Sequence, residues 1–96
     1  MKYISTRGGG TPQSFEQVLL TGLAPDGGLY VPVELPSFSP EQIASWRDLS
    51  YVDLALAVIS PFIGDALQPD ELKRIITESY ADFGHPEVAP LTAIRE

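Results

Sequence analysis

The stretch Leu23-Ala24-Pro25-Asp26-Gly27-Gly28-Leu29-Tyr30-Val31-Pro32 constrains this chain more than any other. A helix-like amphipathic segment precedes it and further helical segments follow, so the backbone must turn over Asp26-Gly27-Gly28 between two different periodicities. Pro25 presets φ for the first corner, Asp26 can bond its own backbone, and the paired glycines can take positive φ at no steric cost. Leu29-Tyr30-Val31 then reads as a short strand closed by Pro32, which has no N–H to give to a ladder. Spacing alone makes this a turn that leads into a strand, and function has to come from elsewhere.

The 96 residues, 44% of them hydrophobic, predict one small domain spanning residues 1–96 with a single core. Six Lys+Arg against 13 Asp+Glu leave a net charge of -7, which argues against nucleic acid or an anionic membrane as partner. The absence of cysteine removes disulfides, thiolate metal sites and cysteine nucleophiles. Met1-Lys2-Tyr3-Ile4-Ser5 lacks the apolar core of a signal peptide, and no apolar run reaches the roughly 18 residues of a spanning helix. The expected location is cytoplasmic.

Tyr3-Ile4-Ser5-Thr6 predicts an edge or leading strand, followed by the loop Arg7-Gly8-Gly9-Gly10-Thr11-Pro12. Bare backbone N–H groups beside a guanidinium are anion donors, so this loop is open to a phosphate-cradle reading as well as to that of a flexible connector. Ser14-Phe15-Glu16-Gln17 fits a capping box, and Phe15, Val18, Leu19 and Leu23 then form a stripe expected to lie in the core, with Gly22 near the helix end. Ser39-Pro40-Glu41-Gln42 repeats the capping logic, with Ile43 and Trp46 as the buried side of a short helix. Ser50 caps a third helix from Tyr51 to Ser60, which Pro61 should end or kink. Its run Leu54-Ala55-Leu56-Ala57-Val58-Ile59 is apolar on every face, so it is either the centre of the domain or a helix that also meets something beyond it. Pro69-Asp70-Glu71 opens a fourth helix, with Leu72, Ile75, Ile76, Ser79, Tyr80 and Phe83 at helical intervals, Lys73, Arg74, Glu78 and Asp82 towards solvent, and Gly84 as a left-handed cap. The predicted architecture is α+β: a small helix-rich domain whose two- or three-stranded sheet comes from Tyr3–Thr6, Leu29–Val31 and Leu91–Ile94, covered by four helices.

Little chemistry remains for such a chain. The single histidine, His85, follows the helix-ending glycine and reads as a surface residue near the negative helix end, and no GxSxG elbow accompanies any serine. Asp70 and Glu71 are adjacent at a helix start, which is dipole chemistry before it is acid–base chemistry. Lys2 is terminal and Lys73 faces solvent, so neither is the desolvated amine that a Schiff base needs. No residue is assigned a catalytic, cofactor-binding or metal-ligating role.

Met1-Lys2-Tyr3-Ile4-Ser5-Thr6-Arg7-Gly8-Gly9, then Ser14 through Pro32, resembles the amino-terminal domain of bacterial threonine synthases. The likeness continues through Leu49-Ser50-Tyr51 and Ile63-Gly64 to Ala89-Pro90-Leu91. The resemblance implies a pyridoxal phosphate enzyme of the tryptophan synthase β-like class that converts O-phospho-L-homoserine and water to L-threonine and phosphate. It also implies that the Schiff-base lysine, in a phenylalanine-lysine-aspartate segment, and the glycine-rich cofactor-phosphate site lie beyond Glu96. The 96 residues are therefore expected to be a fragment of a longer enzyme, binding no cofactor alone, with the catalytic domain of the same chain as partner and a tendency to self-associate. The resemblance makes Arg7 the one substrate-side candidate. Two alternatives stay open: a free-standing interaction module that uses its apolar helix, and a threonine synthase-like phospholyase acting on another phosphorylated hydroxy amino acid.

Overall fold

The computed structural model describes residues 1–94. Its elements, in order, are β1 (Lys2–Ser5), β2 (Gln13–Ser14), α1 (Phe15–Thr21), β3 (Tyr30–Pro32), α2 (Pro40–Ser45), α3 (Tyr51–Ile63), a 3-10 turn (Gly64–Ala66) and α4 (Pro69–Tyr80). The sheet is antiparallel in the order β2-β1-β3, with Lys2 opposite Ser14 on one side and Tyr3, Ile4 and Ser5 opposite Pro32, Val31 and Tyr30 on the other. The α+β class is as predicted, but two details differ. The first strand is central, since both of its edges find partners, and the third strand is Gln13–Ser14 in place of Leu91–Ile94, which forms no strand.

Helix starts follow from local chemistry. Ser14 Oγ accepts from Gln17 N while Gln17 Oε1 accepts from Ser14 N, and Ser39 and Gln42 repeat that exchange at α2. Asp53 N donates to Ser50 Oγ at the head of α3. Helix ends are less faithful to the sequence. Gly22 closes α1 at φ 78 with its N–H on Val18 O, as expected. Gly84 does not cap α4, which stops at Tyr80 with Ala81 still right-handed. Pro61 does not end α3 either: the helix runs on to Ile63, where Gly64 caps it by donating to Ser60 O. The proline sits in the last turn, where it removes a single bond, and burying Ile63 against α4, worth about 1.5–3 kcal/mol for such a side chain, offsets much of its cost of about 3 kcal/mol.

The core lies between α3 and α4. Ile63, Leu72 and Ile76 are its buried residues, and Phe15, Val52, Ala55, Leu56, Ile59, Leu67 and Tyr80 pack against them. Leu72 and Ile76 stand one turn apart on α4, as the helical interval required. Lys73 Nζ lies 3.1 Å from Asp53 Oδ1 and ties α4 to α3, an exposed pair that contributes little. The sheet joins this core through Tyr3, which is buried, stands 6.2 Å from the Phe15 ring, and donates its hydroxyl to Phe62 O at the end of α3.

Two apolar faces expected inside are not covered. On α1, Phe15 and Val18 are half-buried, but Leu19 and Leu23 are 66% and 65% exposed. The α1 stripe is therefore wider than the one side that the sheet and α3 occupy. On α2, Trp46 is half-buried against Phe38, with ring centroids 5.0 Å apart, while Ile43 is exposed. Helix α3 presents half-buried residues nearly all round, as its all-face apolar sequence implied.

Candidate functional site: the Asp26 lock

Antiparallel pairing of β1 with β3 carries the end of β1 towards the turn that precedes β3, and there the two glycine-rich segments meet. Asp26 is the residue that joins them. Its Oδ1 accepts from Ser5 Oγ at 2.7 Å and from Gly28 N at 3.0 Å, and its Oδ2 accepts from Gly9 N at 2.9 Å. Arg7 Nη1 donates to the Asp26 carbonyl at 3.0 Å. Around these bonds, Arg7 N donates to Ser5 Oγ and Leu29 N to Thr6 Oγ1, while Ala24 N donates to Gly28 O and Gly27 N to Ala24 O. Two loops about 20 residues apart are thereby held as one unit.

The glycines are required for different reasons. Gly27 sits at φ 85, and Gly28 has an ordinary backbone but no room, since a Cβ there would overlap Ser5 Oγ and come within 3.1 Å of Arg7 N. Only the first of the paired glycines thus uses positive φ. At Gly9, a Cβ would lie 2.5 Å from Asp26 Oδ2, so the loop approaches the carboxylate by its bare backbone.

This arrangement decides the phosphate-cradle reading. The Gly9 amide, which an anion would need, is already turned onto Asp26, and a second anion beside that carboxylate would be repelled. The depression next to it, lined by Gly9, Gly10, Thr11, Gln13, Pro25, Asp26 and Tyr30, is about 160 Å³, below the roughly 300 Å³ at which ligand pockets begin. Through its backbone the loop is a connector locked by a carboxylate, and the Gly9 amide is not a phosphate donor.

The Ser5 hydroxyl and then the Gly28 amide hold the Asp26 carboxyl below its ordinary value against the opposing effect of desolvation, with a smaller contribution from the Gly9 amide. A folded-state value below the unfolded one means that the lock contributes stability above about pH 3.9, the unfolded carboxyl value, and loses it as pH falls through the folded value. Urea midpoints taken from roughly pH 5 down to roughly pH 3 should therefore fall, and fall less steeply in Asp26→Asn. The residual slope comes from Asp53, which Lys73 and Ser50 hold low in the same way. Parallel profiles for the two proteins would exclude Asp26 as a source of the acid sensitivity.

The other candidates are dispersed. His85 is exposed and its Nδ1 accepts from Glu87 N, a local turn contact. Lys2 is exposed at the start of β1, and Lys73 is engaged with Asp53. With neither amine desolvated and the glycine loop closed on Asp26, the residues of this chain do not fit the pyridoxal phosphate that the resemblance implies for a whole enzyme. Among the described residues, no group of three or more His, Asp or Glu side chains could hold a metal ion, and no helix is long and apolar enough to cross a membrane. The residue that sequence reasoning missed was Asp26 as a partner of the Arg7 loop; the signal was the antiparallel pairing that two adjoining strands imply.

Residues 2–80 match the family described as Threonine synthase N terminus. Threonine synthase of Pseudomonas aeruginosa is 52% identical over 91 residues, which cover 95% of this chain and 19% of that protein. Threonine synthase-like 2 of Homo sapiens is 42% identical over 96 residues, 99% of this chain and 20% of that protein. Among solved structures, PLP-bound threonine synthase from Brucella melitensis superposes with a TM-score of 0.92 at 47% identity, over 97% of this chain and 20% of that one. The chain spans about one fifth of the length of these relatives. By sequence and by fold alike, this chain belongs to the threonine synthase N-terminus family.

Proposed function

We propose that these residues are the amino-terminal domain of a pyridoxal phosphate-dependent threonine synthase, a lyase of threonine biosynthesis in the cytoplasm. Its whole polypeptide converts O-phospho-L-homoserine and water to L-threonine and phosphate. The observation that supports the reading is the superposition of 97% of this chain on one fifth of the Brucella melitensis enzyme at 47% identity. Cofactor and catalytic lysine belong to the remaining polypeptide, and the locked loops of this domain serve as a rigid rim. Absence of cysteine and an acidic surface accord with a soluble protein of a reducing compartment.

Purified full-length protein should bind pyridoxal phosphate and release threonine and phosphate in equal amounts from phosphohomoserine. Phosphate released from another phosphorylated hydroxy amino acid, with no threonine from phosphohomoserine, would replace this reading by a phospholyase one, which the 42% identity to threonine synthase-like 2 keeps in view. No turnover of either kind would leave the interaction module.

Arg7 is the substrate-side residue of this proposal. Its side chain is exposed and spends one N–H on the Asp26 carbonyl, which fixes the guanidinium while leaving its other N–H groups to a phosphorylated substrate. Arg7→Ala in the full-length enzyme should raise KM for phosphohomoserine about tenfold, the scale of one charge-assisted bond, with kcat little changed. Steady-state constants equal to those of the unsubstituted enzyme would remove Arg7 from the substrate side.

A further inference from the structure

The chain exposes 7484 Å², whereas a compact monomer of 10.4 kDa exposes roughly 5400 Å². The excess of about 2100 Å² is more than twice the roughly 800 Å² per partner of a standard interface and matches permanent ones. Part of it lies on the connector after α4, where Leu91 is fully exposed. Its apolar share on regular structure centres on α1, where Leu20 is 80% exposed beside Leu19. Between α1 and the 3-10 turn runs a groove of about 240 Å³, lined by Phe15, Glu16, Leu19, Leu20, Ala66 and Leu67. Its walls are aliphatic and aromatic except for Glu16 at one edge, so it offers no charge pattern for an ionic partner.

We propose that this groove seats the polypeptide that follows this domain in the full-length protein, as a permanent interface within one chain. The inference rests on the reading of these residues as the amino-terminal fifth of a threonine synthase. Two observations select that occupant. Relatives of this domain carry four times as much additional chain, which supplies a surface of the required size without a second molecule. The uncovered area also exceeds what one copy of a standard dimer takes up, and a segment of the same chain meets the groove at a high effective concentration that a second molecule lacks.

The chain has no cysteine, so single thiols can be introduced in the full-length protein as Leu20→Cys and, for comparison, Ile75→Cys on α4. Modification of each by a maleimide is followed by mass spectrometry of the labelled peptide. An open groove makes position 20 the faster site, because Leu20 is 80% and Ile75 only 40% exposed. The expected result is the reverse order, with position 20 slower by at least about tenfold and the ratio constant on dilution. Equal or faster labelling at position 20 would overturn the proposal. Protection that disappears on dilution would overturn it too, by identifying a second copy as the occupant. Should Leu20→Cys not fold, hydrogen exchange of the α1 amides in the unsubstituted protein decides: marked protection supports the seat, and exchange at the rate of a fraying two-turn helix rejects it. Threonine formation is scored separately, so a protected groove in a protein that makes no threonine would keep the interface and reject only the functional reading.

Discussion

Ile76→Ala should lower the unfolding free energy of this chain by about 3 kcal/mol, near the middle of the range for large-to-small changes in a packed core. Ile76 is 5% exposed and belongs, with Ile63 and Leu72, to the group that α3 and α4 close between them. Removing its branched end leaves a void that the surrounding side chains collapse only partly to fill. A small domain has only about 5 kcal/mol in hand, so the variant should be largely unfolded at the urea midpoint of the parent. A loss below about 1 kcal/mol, within the spread of ordinary surface changes, would mean that the stabilising core lies elsewhere. Ile75→Ala, one position along and half out of the core, is the comparison, and it should cost much less.

Gly28→Ala should come next, at about 2–3 kcal/mol, the upper part of the overpacking range. Its methyl group would be driven into Ser5 Oγ, which is buried and already bonded to Asp26, and towards the Arg7 backbone, which cannot swing aside. Relief requires the two loops to part, so the variant should also lose the acid sensitivity assigned to Asp26. The reference is Gly84→Ala: nothing lies within 4 Å of a Cβ there and its φ is ordinary, so that change should be neutral or slightly stabilising. Equal stabilities for the two variants would show that the loops are not held together as described.

These comparisons separate what the sequence makes legible from what it hides. Ser14 with Gln17, Ser39 with Gln42 and Ser50 with Asp53 are readable because a cap is made within four residues. Gly84 misleads for the converse reason: whether α4 continues depends on what packs beyond Tyr80, which no local signal contains. The strand Gln13–Ser14 is two residues long, and Ser14 already has a role as a cap, so only its pairing with Lys2 and Tyr3 makes it a strand. Leu91–Ile94 has the composition of a strand and lacks a neighbour. Leu19 and Leu23 keep a helical interval, but periodicity states which residues share a face and says nothing of what covers it. At the lock, the Arg7 loop and the Asp26 turn are each visible as glycine-rich segments. Their meeting depends on β1–β3 register, and with it goes the fact that a carboxylate takes the Gly9 amide that a phosphate cradle would need.

The Tyr3 hydroxyl on Phe62 O has a consequence for the order in which the chain assembles. Every partner of the sheet lies between residues 2 and 32, so the nascent chain can close that unit before α3 has been synthesised. Joining it to the helical pair then spans 59 positions, about twice the 29 that separate Tyr3 from Pro32. Doubling a loop adds only about 0.6 kcal/mol of closure entropy, less than the roughly 1 kcal/mol that one internal hydrogen bond contributes. A single phenol is thus enough to offset the added length, and the two halves can form separately and still find one another.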